Sequence, residues 1–130
     1  MILFLGDIKG GDILDIILDS ILNTVKKLLG IDVDDTSFDD DIIILINSSM
    51  LSLSQMGIGP VNGFIVTSSV DKWTDYISDN TINLEGVKTY LYLKVKLTFD
   101  PPTNSTVIEA MKKTLEELEW RMMLSVESKN

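Results

Sequence analysis

Cysteine and histidine are both missing from this chain. Their absence excludes thiol nucleophiles, disulfides, zinc sites built from those ligands, and any triad that uses an imidazole base. Arginine is almost missing as well, since Arg121 stands alone. A base-stacking platform interleaves cations with aromatics, so Tyr90, Tyr92 and Trp120 read as core or interface packing. Positive charge is short overall: 11 basic residues against 20 acidic ones leave a net charge of −9. Such a surface repels phosphates unless its lysines gather on one face. Neither phosphate-cradling glycine motif is present, because Gly57, Gly59 and Gly63 have the wrong spacing and no following lysine.

Charge of either sign is missing from residues 42–70. Asn47, Ser48, Ser49, Ser52, Ser54, Gln55, Gly57, Gly59 and Pro60 interrupt that stretch, whereas a membrane span needs roughly 20 mostly apolar residues in succession. No membrane partner is expected. Residues 1–5 (MILFL) are too few for a signal-peptide core and run straight into Gly6 and Asp7.

What the chain does have is apolar material at helical spacing. At 130 residues and 45% hydrophobic, it suits one domain with a modest core. Residues 86–121 organise the rest. Pro101 and Pro102 lack N–H groups and push the residue before them out of the helical region, so one helix stops near Phe99 or Asp100. Asn104 or Ser105 caps the next, in which Ile108, Met111, Leu115, Leu118 and Met122 form one stripe. The preceding segment offers Val87, Leu91, Val95 and Thr98, widened by Tyr90, Leu93 and Leu97. A short proline corner between such helices predicts an antiparallel pair.

Upstream, residues 1–11 read as a flexible arm, and a first helix is expected over residues 12–30. Its stripe is Ile13, Ile17, Ile21, Val25 and Leu28, and Gly30 closes it. Residues 31–41 carry six aspartates. An EF-hand starting at Asp32 would need glycine where Ser37 stands and an acid where Ile43 stands, so no metal site is expected there. The reading instead is an acidic linker with Ser37 or Asp39 as the cap of a second helix over residues 40–56. In that helix Ile42, Ile46, Met50 or Ser49, Leu53 and Met56 make the stripe, while Ile43, Leu45 and Leu51 broaden it enough to predict burial on more than one side. A long loop follows, residues 57–69, then a short helix over residues 71–78 in which Trp73 and Ile77 staple the loop to the core. Asn83 is the expected cap of the helix that leads to the prolines. Residues 12–124 thus form an all-α bundle of four to five helices, and residues 125–130 a tail.

Catalytic constellations are thin. Glu116, Glu117 and Glu119 share their helix with Lys112 and Lys113 and read as a solvated face rather than an acid/base pair. No enzyme activity, cofactor or metal is expected.

Three stretches taken together resemble a known family: SFDDDIIILINSSMLSLSQMGIG (residues 37–59), GFIVTSS with Trp73 after it, and VKTYLYLKVKLTFDPPTNSTVIEAMKKTLEELEWRM (residues 87–122). They are similar to the small head-tail connector proteins of long-tailed bacteriophages, also called head-completion or adaptor proteins of the DNA-packaging group, over residues 19–123. The N-terminus before about Asp19 is longer than that pattern. The resemblance implies an all-α subunit of a portal-symmetric ring, a dodecamer in the virion. That ring would contact the portal protein and a stopper or tail-completion protein, and pass genomic DNA without sequence-specific binding. Location would be the head-tail interface of the virion, and the bacterial cytoplasm during assembly. Subunit contacts would fall on Tyr90, Tyr92, Lys94 and Trp120 and on the loop with Gly57, Gly59 and Phe64, with Ser125 and Val126 of the tail on a portal or stopper. Two other classes stay open on the residues alone. One is a generic helical adaptor or chaperone for a protein partner. The other is a small DNA-binding packaging or regulatory domain reading through the lysine-bearing segment 88–96.

Overall fold

The computed structural model describes residues 19–77 and 84–129, and among them every regular element is helical. The helices are α1 (Ile21–Leu28), α2 (Asp39–Gln55), the single turn α3 (Trp73–Tyr76), α4 (Leu84–Phe99) and α5 (Ser105–Lys129). The all-α bundle with a long loop after its second major helix is therefore as expected. The arm over residues 1–11 and the cap at Asn83 lie outside the described residues.

The helix expected over residues 12–30 is interrupted at Ser20. Ser20 is extended, with φ −70° and ψ 129°, and its Oγ accepts the N–H of Asn23 at 3.2 Å. A serine hydroxyl that satisfies a first-turn donor offers the backbone a way out of the helix, so Ser20 is the cap and α1 begins at Ile21. Residues 12–18 lie outside the described ones. Leu28, placed in the stripe, is instead exposed. At the other end Gly30 takes φ 81°, its N–H donates to Lys27 O, and Ile31 N–H reaches back to Lys26 O. Gly57 repeats the device at the end of α2 with φ 85°, its N–H on Ser54 O and Ile58 N–H on Leu53 O. Both are paired closures that use the left-handed conformation glycine adopts freely.

Neither Ser37 nor Asp39 caps α2. The cap position is Phe38, which makes no side-chain hydrogen bond there. Asp39 is drawn away by Lys26, whose ammonium is 2.8 Å from the carboxylate and also donates to Val33 O at 3.0 Å. That lysine is 1% exposed. A buried ammonium needs such partners, and the competition for Asp39 explains the missing cap. Asp39, Asp40 and Asp41 still favour the helix start through the dipole.

α4 is the central helix, with α1, α2 and α5 all packed on it. The Phe38 ring meets Phe99 edge to face at 5.5 Å, so the start of α2 lies against the end of α4 and the two run antiparallel. Ile42, Ile46, Met50 and Leu53 of α2 enclose Val87, Tyr90, Leu91, Leu93 and Val95 of α4, with Ile21, Leu22 and Val25 of α1 in the same cluster. Each such aliphatic side chain contributes about 1.5–3 kcal/mol when fully buried. Thr98, assigned to the α4 face, is exposed.

Beyond the prolines, Asn104 Oδ1 accepts the N–H groups of Thr106 at 2.8 Å and Val107 at 3.3 Å, as a cap should. α5 then runs 25 residues, about 37 Å at 1.5 Å per residue. Only Leu115 and Met122 of it are fully buried among the described side chains, with Met111, Leu118 and Val126 partly so. The stretch from Ser125, expected as a separate tail, continues the helix to Lys129. No glycine or proline interrupts it, and Val126 packs back on the core.

Candidate functional site

Among the described residues, two apolar surfaces stand out once the core is closed. The first is shaped by the uncharged stretch. Because α2 turns its core face to α4, residues seven apart on the opposite side, Ile44 and Leu51, point to solvent at 66% and 60% exposure. The loop after α2 folds back beside them and is pinned by side chains. Asn47 acts as a two-pronged clamp, donating from Nδ2 to Val66 O at 2.9 Å and accepting Val66 N–H on Oδ1 at 2.8 Å. Val66 is thereby buried. Asp71 receives the Thr67 N–H at 2.7 Å, the Thr67 hydroxyl at 3.1 Å and the Ser68 N–H at 3.2 Å. The Thr67 N–H above all holds that carboxyl below its ordinary value against the opposing effect of burial, and the Ser68 N–H and Thr67 hydroxyl add smaller contributions.

Gly59 sits at φ 90° where a Cβ would lie 2.6 Å from Cε1 of Tyr76, so the close approach of loop and ring admits no side chain. Phe64 meets Tyr76 edge to face at 5.4 Å. The Tyr76 hydroxyl is buried without a hydrogen-bond partner among the described residues, and that burial raises its pKa far above the usual range. Between α2 and the loop lies an open groove of about 390 Å³, lined from α2 by Asn47, Met50, Leu51 and Ser54 and from the loop by residues 62–65. Ile65 is 70% exposed beside it.

The second surface is the outer side of α5. Trp120, Met123 and Leu124 are exposed, Trp120 at 63%. At steps of three and four they share one face, and on a helical wheel Trp120 and Leu124 lie opposite the buried Leu115 and Met122.

Of the residues singled out in the sequence, Trp120 is on that outer surface and Phe64 is in the groove wall. Gly57 and Val126 meet each other, since a Cβ on Gly57 would be 3.2 Å from a Val126 methyl. Gly59 is held against Tyr76, and Ser125 is exposed with its hydroxyl donating to Arg121 O. Tyr90 is in the core of its own chain at 1% exposure. Burial raises its pKa, and the charge of Glu119 adds to that. Lys94 lies 5.8 Å from the Tyr90 ring centre, and Tyr92 is half-buried. The structure thus separates Tyr90 from Trp120 rather than joining them in one patch. Sequence reasoning missed Ile44, Ile65, Met123 and Leu124 as surface residues. The over-wide apolar stripe of α2 was the available signal for Ile44.

Chemically, the groove offers amides, a hydroxyl and hydrocarbon. Among the described residues no three acidic side chains gather as metal ligands, and no helix is long and apolar enough to cross a membrane. Surplus apolar surface on two sides of a small helical body is the pattern of a building block in a larger assembly. The chain belongs to the phage connector protein family, whose sequence model matches residues 21–129. Neither a curated protein nor a solved structure matches it. Membership makes it a structural phage protein and a component of the virion.

Proposed function

We propose that this chain is the head-tail connector subunit that forms a ring beneath the portal, extends the DNA channel and gives the tail its attachment platform. The observation that carries the reading is the presence of two unlike apolar surfaces on one chain, the groove beside α2 and the outer face of α5. Unlike patches that fit each other build head-to-tail contacts, and such contacts close into rings when the rotation permits. A net charge of −9 suits a passage for duplex DNA, since phosphate contacts are what would hold the DNA in place. Portal and tail-completion proteins are the partners this reading assigns. The assembling chain passes through the host cytoplasm before it reaches the virion.

Native mass measurement tests this, on the chain alone and mixed with the portal of the same phage. A closed ring that binds the portal coaxially is the expected result. A species that remains monomeric with the portal at every concentration overturns the proposal.

A further inference from the structure

We infer that Trp120 of one copy, flanked by Met123 and Leu124, seats in the groove between α2 and the following loop of the next copy. The inference rests on the ring reading above and names its contact.

Charge selects the groove. α5 carries Glu116, Glu117 and Glu127 around the Trp120 face, against Lys113 and the Glu117-paired Arg121, and the linker before α2 carries six aspartates. Laid near that linker, α5 would meet like charges. Residues 42–70 form a charge-free landing surface, on which a glutamate-bearing helix desolvates no opposing ion.

Shape and chemistry agree. The groove of about 390 Å³ is open along one side and walled by Met50, Leu51, Phe64 and Ile65. This is near the lower end of ligand pockets, about 300 Å³ and upward, and suits one large side chain with its neighbours on the rim. An indole also needs an acceptor when buried. The amide of Asn47 is already committed to Val66, while Ser54 and Asn62 line the same groove and carry oxygens that can accept the Trp120 N–H. Trp120 itself is an exposed aromatic of the kind that dominates interfaces.

Direction excludes self-closure. α2 and α5 both pack on α4, and each turns its leftover face away from it. One chain therefore cannot place its own Trp120 in its own groove, and the contact passes from copy to copy.

The test uses exposed positions. Leu51→Asp spoils the groove and Trp120→Asp spoils the knob, and circular dichroism should show native helicity for both. Each variant alone is expected to self-associate about 30-fold more weakly, the loss of one interface hot spot. An equimolar mixture should regain a dimer and nothing larger, because it contains one intact groove and one intact knob. Photo-crosslinking through benzoylphenylalanine at position 120, in the wild-type background, should label the groove residues of an isotopically distinct copy. Rings that persist in either variant, or crosslinks to residues 1–18 or to α5 of the other copy, overturn this pairing and leave the ring reading standing. A wild-type chain that never assembles, alone or on the portal, ends both.

Discussion

The two tryptophans of this chain sit in regions built on different terms. Trp73 is 2% exposed, and its indole N–H donates to the Thr24 hydroxyl at 2.9 Å, which in turn donates to Ser20 O at 2.7 Å. In that region Lys26 is matched with Asp39, Asn47 with Val66, and Asp71 with Thr67 and Ser68, the buried Tyr76 hydroxyl being the exception. Trp120 belongs to a helix held by a narrow apolar strip. Its charges pair along its own surface, as Glu117 does with Arg121 and Glu109 with Lys112. Such exposed pairs contribute about 0.3–0.5 kcal/mol each. The first region spends its chemistry on one rigid arrangement of its own chain. The second keeps its helix intact by local means and leaves large side chains for another surface.

The largest expected effect falls on the first region. Trp73→Ala removes a buried ring and orphans the Thr24 hydroxyl from that contact, for a loss of about 3–5 kcal/mol. Chemical denaturation should show the shift, and a variant within about 1 kcal/mol of the native chain would mean the corner is held elsewhere. Next comes the ion pair. Asp39→Asn strands a fully buried ammonium and should cost about 3 kcal/mol, whereas Lys26→Met leaves a carboxylate that still touches water and should cost about 1–2 kcal/mol. Equal losses from the two would show that Lys26 is not the more deeply buried partner in solution. Asn47→Ala frees both backbone groups of Val66 and should cost about 1–3 kcal/mol. Hydrogen exchange would then rise first in the loop after α2, ahead of the helices.

Most of the architecture was legible because it rests on covalent rules and on periodicity. Pro101 and Pro102 forced the corner, Asn104 announced the start of α5, and Ile42, Ile46 and Leu53 announced the buried face of α2. What escaped notice depends on distant partners. Asp39 looked like a cap until Lys26, thirteen positions earlier, claimed it. Ser20 was hidden inside an apolar period that ran across it, although its own type marked a helix start. The candidate site was half legible. An over-wide stripe says that α2 has apolar surface to spare, but only the loop clamp at Asn47 decides that the surplus becomes a groove.

Acid should separate the two regions without any change of core. The Asp71 carboxyl is held below its ordinary value of 3.8 by donors that exist only in the folded loop. Its stabilising contribution is therefore complete above that value and is lost as pH falls through the lower folded value. Asp71→Asn should flatten the stability profile of the loop in that window and leave it unchanged near neutrality relative to its own plateau. A profile identical to the native one down the whole acid limb would remove Asp71 as the source.

The smallest expected effect is the most informative about α5. Trp120→Ala replaces an exposed ring by the best helix former, so folding stability should change by no more than about 0.5 kcal/mol in either direction. Trp73→Ala, the same chemical deletion, is expected to cost several times more. The ratio isolates burial as the cause, because residue type and the atoms removed are identical. A loss above about 1 kcal/mol at position 120 would show that the ring packs on its own chain in solution. The outer face of α5 would then be part of the core, and the distinction between a self-contained region and an assembling one would collapse.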